Sequence, residues 1–346
     1  MTLSAGKFWG MRRLADAGGR YKMLAVDQRP PIKNLIRERL GAGEAPYGDV
    51  AGFKRMLVET LQREASATLQ DPHFAYPASI HVTDPRLGLI MTLEDSEFQE
   101  TPDGRLSSEI DNWSVEKIKR AGGDAVKVLA WYRPDAAPAV LGHQRDFTKR
   151  IGDACVRFDI PFLFELLVYP LAGDVDRTKD YVEMKGKNAD HVLRSVAEFA
   201  RPEYGIDIFK LESPVAADAV PGAGNAGGEE VQALFDEMGR LAGRPWVMLS
   251  AGAGKAEFRN ILAHAFRAGA SGFLAGRAIW LEAFSSYPDW AAIRAGLEGE
   301  AAAYMADISV LADREAQCWH AHACYGEGGA RFAPTDASFR HVYQAM

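Results

Sequence analysis

The chain has 346 residues, 47% of them hydrophobic and 25% charged, with a formal net charge of −7. Those proportions exclude a disordered chain, and the acidic balance argues against a nucleic-acid partner, which favours a basic footprint. No stretch approaches about 18 uninterrupted apolar residues, so no membrane span is expected.

Taken in chain order, the opening MTLSAGKFWGMRRLADAGGR lacks a long apolar core followed by a small-residue cleavage site, so no signal peptide is expected. Cys155, Cys318 and Cys324 in a chain of this length fit a reducing compartment, and the expected location is cytoplasmic. Short apolar runs then alternate with amphipathic stretches. Strands are predicted at 23–28, 79–83, 89–93, 125–131, 162–169, 206–212, 246–250 and 272–275. Their near-continuous hydrophobicity, as in PFLFELLVYP and RPWVMLSAG, is what strands buried on both faces require. Helices are predicted at 113–121, 145–159, 189–200, 229–241 and 255–268, with Gly269 as a stop before the last strand. The Gly/Ala-rich stretch 216–228 reads as a mobile loop after the sixth strand.

Eight strands with intervening helices predict an α/β fold, a closed (β/α)8 TIM barrel. No GxGxxG follows the first strand, which argues against a dinucleotide site. The whole chain, 1–346, reads as one domain, with the barrel over about 20–280 and a C-terminal helical extension over about 281–346. That extension is predicted to hold the closing helix of the barrel, a further helix through Trp319, and a Gly-containing end.

Active sites of such barrels lie at the C-terminal ends of the strands, so charges within or just past apolar strands carry the information. Five stand out: Asp27 in LAVDQR, Lys127 in DAVKVLAWY, Glu165 in FLFELLVY, Lys210 in IDIFKLESP and Arg277 in FLAGRAIW. One such charge is more often a structural ion pair than a catalyst. Two lysines and two carboxylates on four strands of one barrel suit aldol chemistry. A lysine that condenses with a ketone must be neutral, whereas a free lysine has a pKa of about 10.4, and desolvation or a second cation lowers it. Carboxylates supply the proton shuttles. Spacing alone leaves open which lysine is the nucleophile. LSAGAGKAEF and FLAGRAIW place glycine and small residues between a strand and a helix, where backbone N–H groups and Arg277 can hold a phosphate.

LAVDQR, GGDAVKVLAWY, IPFLFELLVYP, IDIFKLESP, WVMLSAGAGKAEF and GASGFLAGRAIW, spanning about 21–280, resemble the tagatose-1,6-bisphosphate aldolase family, which also contains sulfofructose-phosphate aldolases. The resemblance implies that Lys210 forms the Schiff base and that Glu165 transfers protons. Asp27 and Lys127 would surround the reacting carbons. Ser250, Gly252, Gly276 and Arg277 would hold the anionic group, and Gln28 and Arg29 of the first motif would also bind substrate. No metal and no cofactor is implied. The expected partner is a small sugar phosphate or a sulfonated sugar phosphate, bound by a homo-oligomer. The implied activity is cleavage of a ketose phosphate such as tagatose 1,6-bisphosphate to dihydroxyacetone phosphate and a three-carbon aldehyde. The alternatives are a sulfofructose-phosphate aldolase, a transaldolase using the same lysine, and a non-catalytic sugar-phosphate-binding barrel. The chain departs from the family pattern at Pro30-Pro31, which is expected to stiffen and reshape the loop after DQR, and in its long tail after Trp280 and glycine-rich loop near 222–228, both of which are expected to reshape the end of the pocket that selects the second anionic group.

Other features read more plainly. His81, placed on the second strand, is expected as a core histidine, and Asp84-Pro85 as the start of a loop. Trp131-Tyr132 would sit at the mouth of the fourth strand, lining the pocket or packing. Cys318, His320, His322 and Cys324 alternate in CWHAHACYG, and packing is preferred to a zinc site because this spacing is not a usual finger pattern.

Overall fold

The computed structural model describes residues 2–41, 43–171, 174, 188–222, 226–332 and 336–343. Eight parallel strands close into a barrel in chain order: β1 (Tyr21–Ala25), β2 (Ala67–Gln70), β3 (Gly88–Thr92), β4 (Ala125–Trp131), β5 (Phe162–Leu167), β6 (Ile208–Leu211), β7 (Trp246–Met248) and β8 (Gly272–Ala275), which pairs back to β1. Side chains of a strand alternate between its two faces, and that alternation divides the core. Met23, Ala25, Leu69, Ala125, Leu163, Ile208, Val247 and Leu274 pack inside the ring. Their neighbours Leu24, Val26, Val126, Phe162, Phe164, Phe209 and Phe273 pack outward against the helices. Asp27, Lys127, Glu165 and Lys210 each stand two residues beyond an interior residue, so all four side chains rise from the same interior column into the C-terminal mouth.

The second strand is corrected by the structure. Residues 79–83 are no strand: Ser79 ends a short helix, Ala75–Ser79, and both Val82 and Thr83 donate their N–H groups to the Ser79 carbonyl. β2 lies earlier, in ATLQ. Its outward residues Thr68 and Gln70 are polar yet fully buried; Gln70 donates to the Thr68 hydroxyl, and the Ser79 hydroxyl donates to Gln70. Mutual hydrogen bonding replaces apolar packing there, so the hydrophobic signal is lost. His81 is exposed rather than a core residue. Asp84 pairs with Arg86 in the loop entering β3, at the opposite end of the barrel from the mouth.

Helices Ala5–Leu14, Pro30–Leu40 and Tyr47–Leu61 and the hairpin Gln99–Thr101/Gly104–Leu106 add to the expected elements. Pro30 and Pro31 open a helix at its first positions, where a missing N–H leaves no bond unmade. Of the loop 216–228, residues 223–225 lie outside the described set; before them a 3-10 turn, Ala217–Ala219, leads to the Pro221 carbonyl, which pairs with His264.

The tail also differs from expectation. After Arg277–Phe284 come Trp290–Gly296, a π-helical turn Leu297–Ala301 and Ala302–Glu315, so the last long helix stops short of Trp319. Trp319 instead sits in a 3-10 turn, edge-on to Phe8 and Tyr325, and joins Leu3, Met11 and Leu14 beneath the barrel interior. Its N–H donates to the Gly19 carbonyl at 2.9 Å, just before β1 begins. The Trp319 segment of the extension therefore closes the N-terminal end of the barrel, and none of the extension's described residues lines the cavity at the C-terminal mouth that it was expected to reshape. Cys318, His320, His322 and Cys324 lie on this cap in successive turns, not on one face of a strand: Cys318 contacts the Gly18 carbonyl and His322 Nδ1 accepts the Cys324 N–H. Among the described residues no three His, Cys, Asp or Glu side chains are arranged to hold a metal ion.

Candidate active site

At the C-terminal mouth the ammonium of Lys127 is the hub. Its Nζ lies 2.9 Å from Asp27 Oδ2, 2.5 Å from Glu94 Oε1 and 2.8 Å from Glu165 Oε2. Glu165 Oε2 is at the same time 2.9 Å from Lys210 Nζ. Strand register explains the last contact, because Glu165 on β5 and Lys210 on β6 are directly paired and point the same way. Thr92, last in β3, donates its hydroxyl to Asp27 Oδ2 at 3.2 Å. The five ionisable groups are all at least nine-tenths buried, and a buried charge persists only when paired.

Burial sets the proton affinities first and the charge pattern then separates them. Burial would lower the Lys127 ammonium, yet Asp27, Glu165 and Glu94 outweigh it and hold the group well above its ordinary value. Burial would raise Asp27, but Lys127, Lys210 and Arg29 hold it well below the usual carboxylate range. Glu165 follows the same pattern, lowered by Lys127 and Lys210 against the effect of burial. Glu94 goes the other way: burial dominates, Lys127 and Arg29 offset it only in part, and the carboxyl is pushed up to about 7.

The end of β1 is fixed from behind. Lys54, wholly buried on the helix Tyr47–Leu61, donates to the Val26 carbonyl at 2.8 Å and pairs with Asp71, whose carboxylate accepts the N–H groups of His73 and Phe74. This holds the backbone immediately before Asp27, Gln28 and Arg29. Glu212, just past β6, accepts the Val168 N–H at 2.6 Å and ties the exits of β5 and β6 together.

Across the mouth, the chain after β7 curls through Ala251 and Gly252, both with positive φ, and the Ala253 N–H closes on the Ser250 carbonyl at 2.7 Å. A Cβ on Gly252 would stand 3.4 Å from the Arg277 guanidinium, so the bare glycine lets that charge lie over the turn. Gly276 precedes the helix Arg277–Phe284; a Cβ there would meet Gln28 Nε2 at 2.6 Å and the Ala25 carbonyl at 2.8 Å. Only glycine permits β8 to close this tightly on the β1 loop. Two helix N-termini, those of Lys255–Arg267 and Arg277–Phe284, thus begin beside each other with Arg277 between them, an arrangement suited to an anion.

One cavity of about 760 Å³, counting its solvent-open part, joins these pieces. Asp27, Gln28, Arg29, Lys127, Glu165, Lys210, Ser250, Gly276 and Arg277 all line it, with Gly252 adjoining through Arg277. Trp131 also lines it, while Tyr132 turns outward onto Phe199. Arg29 is 4% exposed, and its Nη2 donates to the Glu94 carbonyl at 3.1 Å. Among the described residues, Arg29 Nε and Nη1, Gln28 Oε1 and Glu94 Oε2 are buried without a hydrogen-bond partner. Unmet capacity clustered at one end of a cavity is what a polar ligand would satisfy.

Glu94, Glu212, Thr92 and the Lys54–Asp71 pair are not among the sequence-predicted site residues. Glu94 carried a legible signal, since it stands two residues past Thr92 and four past the interior Ile90 in LIMTLED. Lys54 carried none; its burial depends on the partner that the fold brings to it.

A family model described as DeoC/LacD family aldolase matches residues 22–282. The chain is 31% identical over 337 residues to tagatose 1,6-diphosphate aldolase 2 of Enterococcus faecalis, covering 95% of this chain and 100% of that protein. It is 32% identical over 329 residues to tagatose 1,6-diphosphate aldolase of Listeria monocytogenes, covering 92% and 95% of the two chains. Among solved structures it is similar to fructose-bisphosphate aldolase from Plasmodium falciparum, with a TM-score of 0.66 at 13% identity over 92% of this chain and 97% of that one. It is also similar to a Schiff-base-forming fructose-1,6-bisphosphate aldolase, with a TM-score of 0.54 at 16% identity over 88% and 98%. At such identities these two structures speak for the barrel fold alone.

Proposed function

The chain belongs to the DeoC/LacD family of aldolases, and from that premise we propose that it is a class I aldolase whose Lys210 forms a Schiff base with a ketose phosphate. The observation that carries this reading is the Glu165 carboxylate shared between Lys127 at 2.8 Å and Lys210 at 2.9 Å. Lys127, ringed by three carboxylates, stays charged and is no nucleophile. Lys210 has a single carboxylate partner among the described residues, and its side chain lines the cavity that would receive the carbonyl.

The chemistry then follows from the residues in place. The Lys210 amine adds to the C2 carbonyl, and loss of water from the carbinolamine leaves an iminium, with Glu165 moving the protons. The C3–C4 electrons flow into the iminium, giving an enamine on Lys210 and a free aldehyde. The turn at Ser250–Gly252 with Gly276 and Arg277 binds the C1 phosphate. The partnerless N–H groups of Arg29, beside Gln28, receive the anion at the far end of the sugar, a phosphate in tagatose 1,6-bisphosphate or a sulfonate in a sulfofructose phosphate. Release of free dihydroxyacetone phosphate without an acceptor aldehyde separates this reading from a transaldolase.

Borohydride added with dihydroxyacetone phosphate is expected to reduce the iminium and leave a mass adduct on the peptide containing Lys210, with EDTA having no effect. Absence of an adduct, or an adduct on Lys127, contradicts the proposal. Arg277→Ala is expected to raise KM by about 10- to 100-fold while changing kcat far less, the size set by one lost charge-assisted contact to a phosphate; an unchanged KM in steady-state assays would remove Arg277 from the anion site.

A further inference from the structure

Three carboxylates share the Lys127 ammonium, yet their surroundings differ. Asp27 Oδ2 also accepts the Thr92 hydroxyl, and Glu165 Oε2 also holds Lys210. Glu94 gives one oxygen to Lys127 and keeps the other, Oε2, buried without a partner among the described residues while the side chain lines the cavity. The charged groups around it are Lys127 on β4, Asp27 and Arg29 at the end of β1 and, across Lys127, Glu165 on β5; the Arg29 guanidinium comes only to 4.0 Å from Glu94 Oε1.

Position decides what this carboxyl can serve. In a ring of eight strands β3 stands opposite β7. A ketose held as proposed above, by its C1 phosphate at the β7–β8 turns and joined at C2 to Lys210 on β6, would extend C4 across the mouth, toward Glu94 and Arg29, which both line the cavity. Resting on the aldolase reading above, we propose that Glu94, rather than Asp27 or Glu165, takes the proton of the C4 hydroxyl during cleavage and returns it during condensation. The step balances without a co-reactant. The C4 O–H proton passes to the Glu94 carboxylate, the oxygen electrons form the aldehyde C4=O bond, the C3–C4 pair becomes the enamine double bond, and the iminium electrons return to the Lys210 nitrogen.

The electrostatics agree with the geometry. A base that takes and returns a proton at each turnover works best with an affinity close to the working pH. Asp27 and Glu165, held low by their ammonium partners, bind a proton weakly, whereas burial brings Glu94 to about 7. Cleavage uses the ionised form, so its rate rises with pH through that value.

The test separates the C4 step from the Schiff-base steps. In Glu94→Gln, ketose bisphosphate cleavage is expected to fall about 10²- to 10⁴-fold, the range for a lost general base. Its kcat/KM profile is expected to lose the limb near neutrality that is expected of the wild-type enzyme. Borohydride trapping of dihydroxyacetone phosphate and deuterium exchange at its C3 carbon need no C4 chemistry and are expected to stay within a few-fold of wild type. Glu94→Asp, which keeps an acid in shifted position, is expected to retain the limb at a reduced cleavage rate. Cleavage by Glu94→Gln at close to the wild-type rate would overturn the assignment, and so would loss of exchange in parallel with cleavage. Failure of wild-type trapping would instead overturn the Schiff-base reading itself.

Discussion

Replacing Lys210 with methionine is expected to lower kcat by at least about 10⁴-fold, the scale seen when a covalent catalyst is removed, and to abolish the borohydride adduct. The substitution keeps the length and apolar stem of the side chain and removes only the amine. Glu165 stays paired with Lys127 at 2.8 Å, so its charge is not stranded and the fold should keep its unfolding temperature within a few degrees. Single-turnover cleavage and thermal unfolding of the same preparation check both halves. Residual activity within tenfold of wild type would mean that the reacting amine is elsewhere.

Lys127→Met is expected to damage both catalysis and stability. Removing the cation leaves Asp27, Glu94 and Glu165 facing one another in a buried space. Breaking a buried ion pair by deleting one partner costs about 3–5 kcal/mol, and three carboxylates lose a partner here. The loss depends on pH in a definite direction. Without the cation, burial and mutual repulsion raise the folded-state affinities of Glu94 and Asp27 above their unfolded values, while Glu165 keeps Lys210 as a partner. Such groups destabilise the fold above the unfolded pKa and are relieved as pH falls through the folded pKa, when they take up protons. Urea unfolding is therefore expected to show a larger deficit relative to wild type at pH 8 than at pH 5. Equal deficits at the two values, or a wild-type midpoint, would show that Lys127 is not the charge that makes this cluster tolerable. Catalysis is expected to fail at both values, because Glu165 loses the partner that orients it toward Lys210.

β4, β5 and β6 were legible because their outward faces pack on helices and their lower inward residues on one another, so apolar residues run on until a charge interrupts them at the mouth. Lys127, Glu165 and Lys210 were visible for that reason. β2 was not, because Thr68 and Gln70 satisfy each other and leave no apolar run, while the β-branched residues of IHVT suggested a strand where the chain turns. Glu94 stands past the end of its apolar run and is less sharply framed than the other charges, although the alternation through Ile90 and Thr92 points to it.

The barrel class and the residue types from which the site is made follow from local periodicity and from charges set in apolar strands, and the family resemblance from the motifs that carry those charges. Which partners those charges share is fixed only when the barrel closes. Three carboxylates from β1, the end of β3 and β5 meet on one ammonium from β4, and partners and burial then make one carboxyl hold its proton more tightly than the other two. The tertiary structure also decided where the tail goes: Trp319 fills the apolar hollow beneath the barrel, a contact between residues some 300 positions apart that no local pattern encodes.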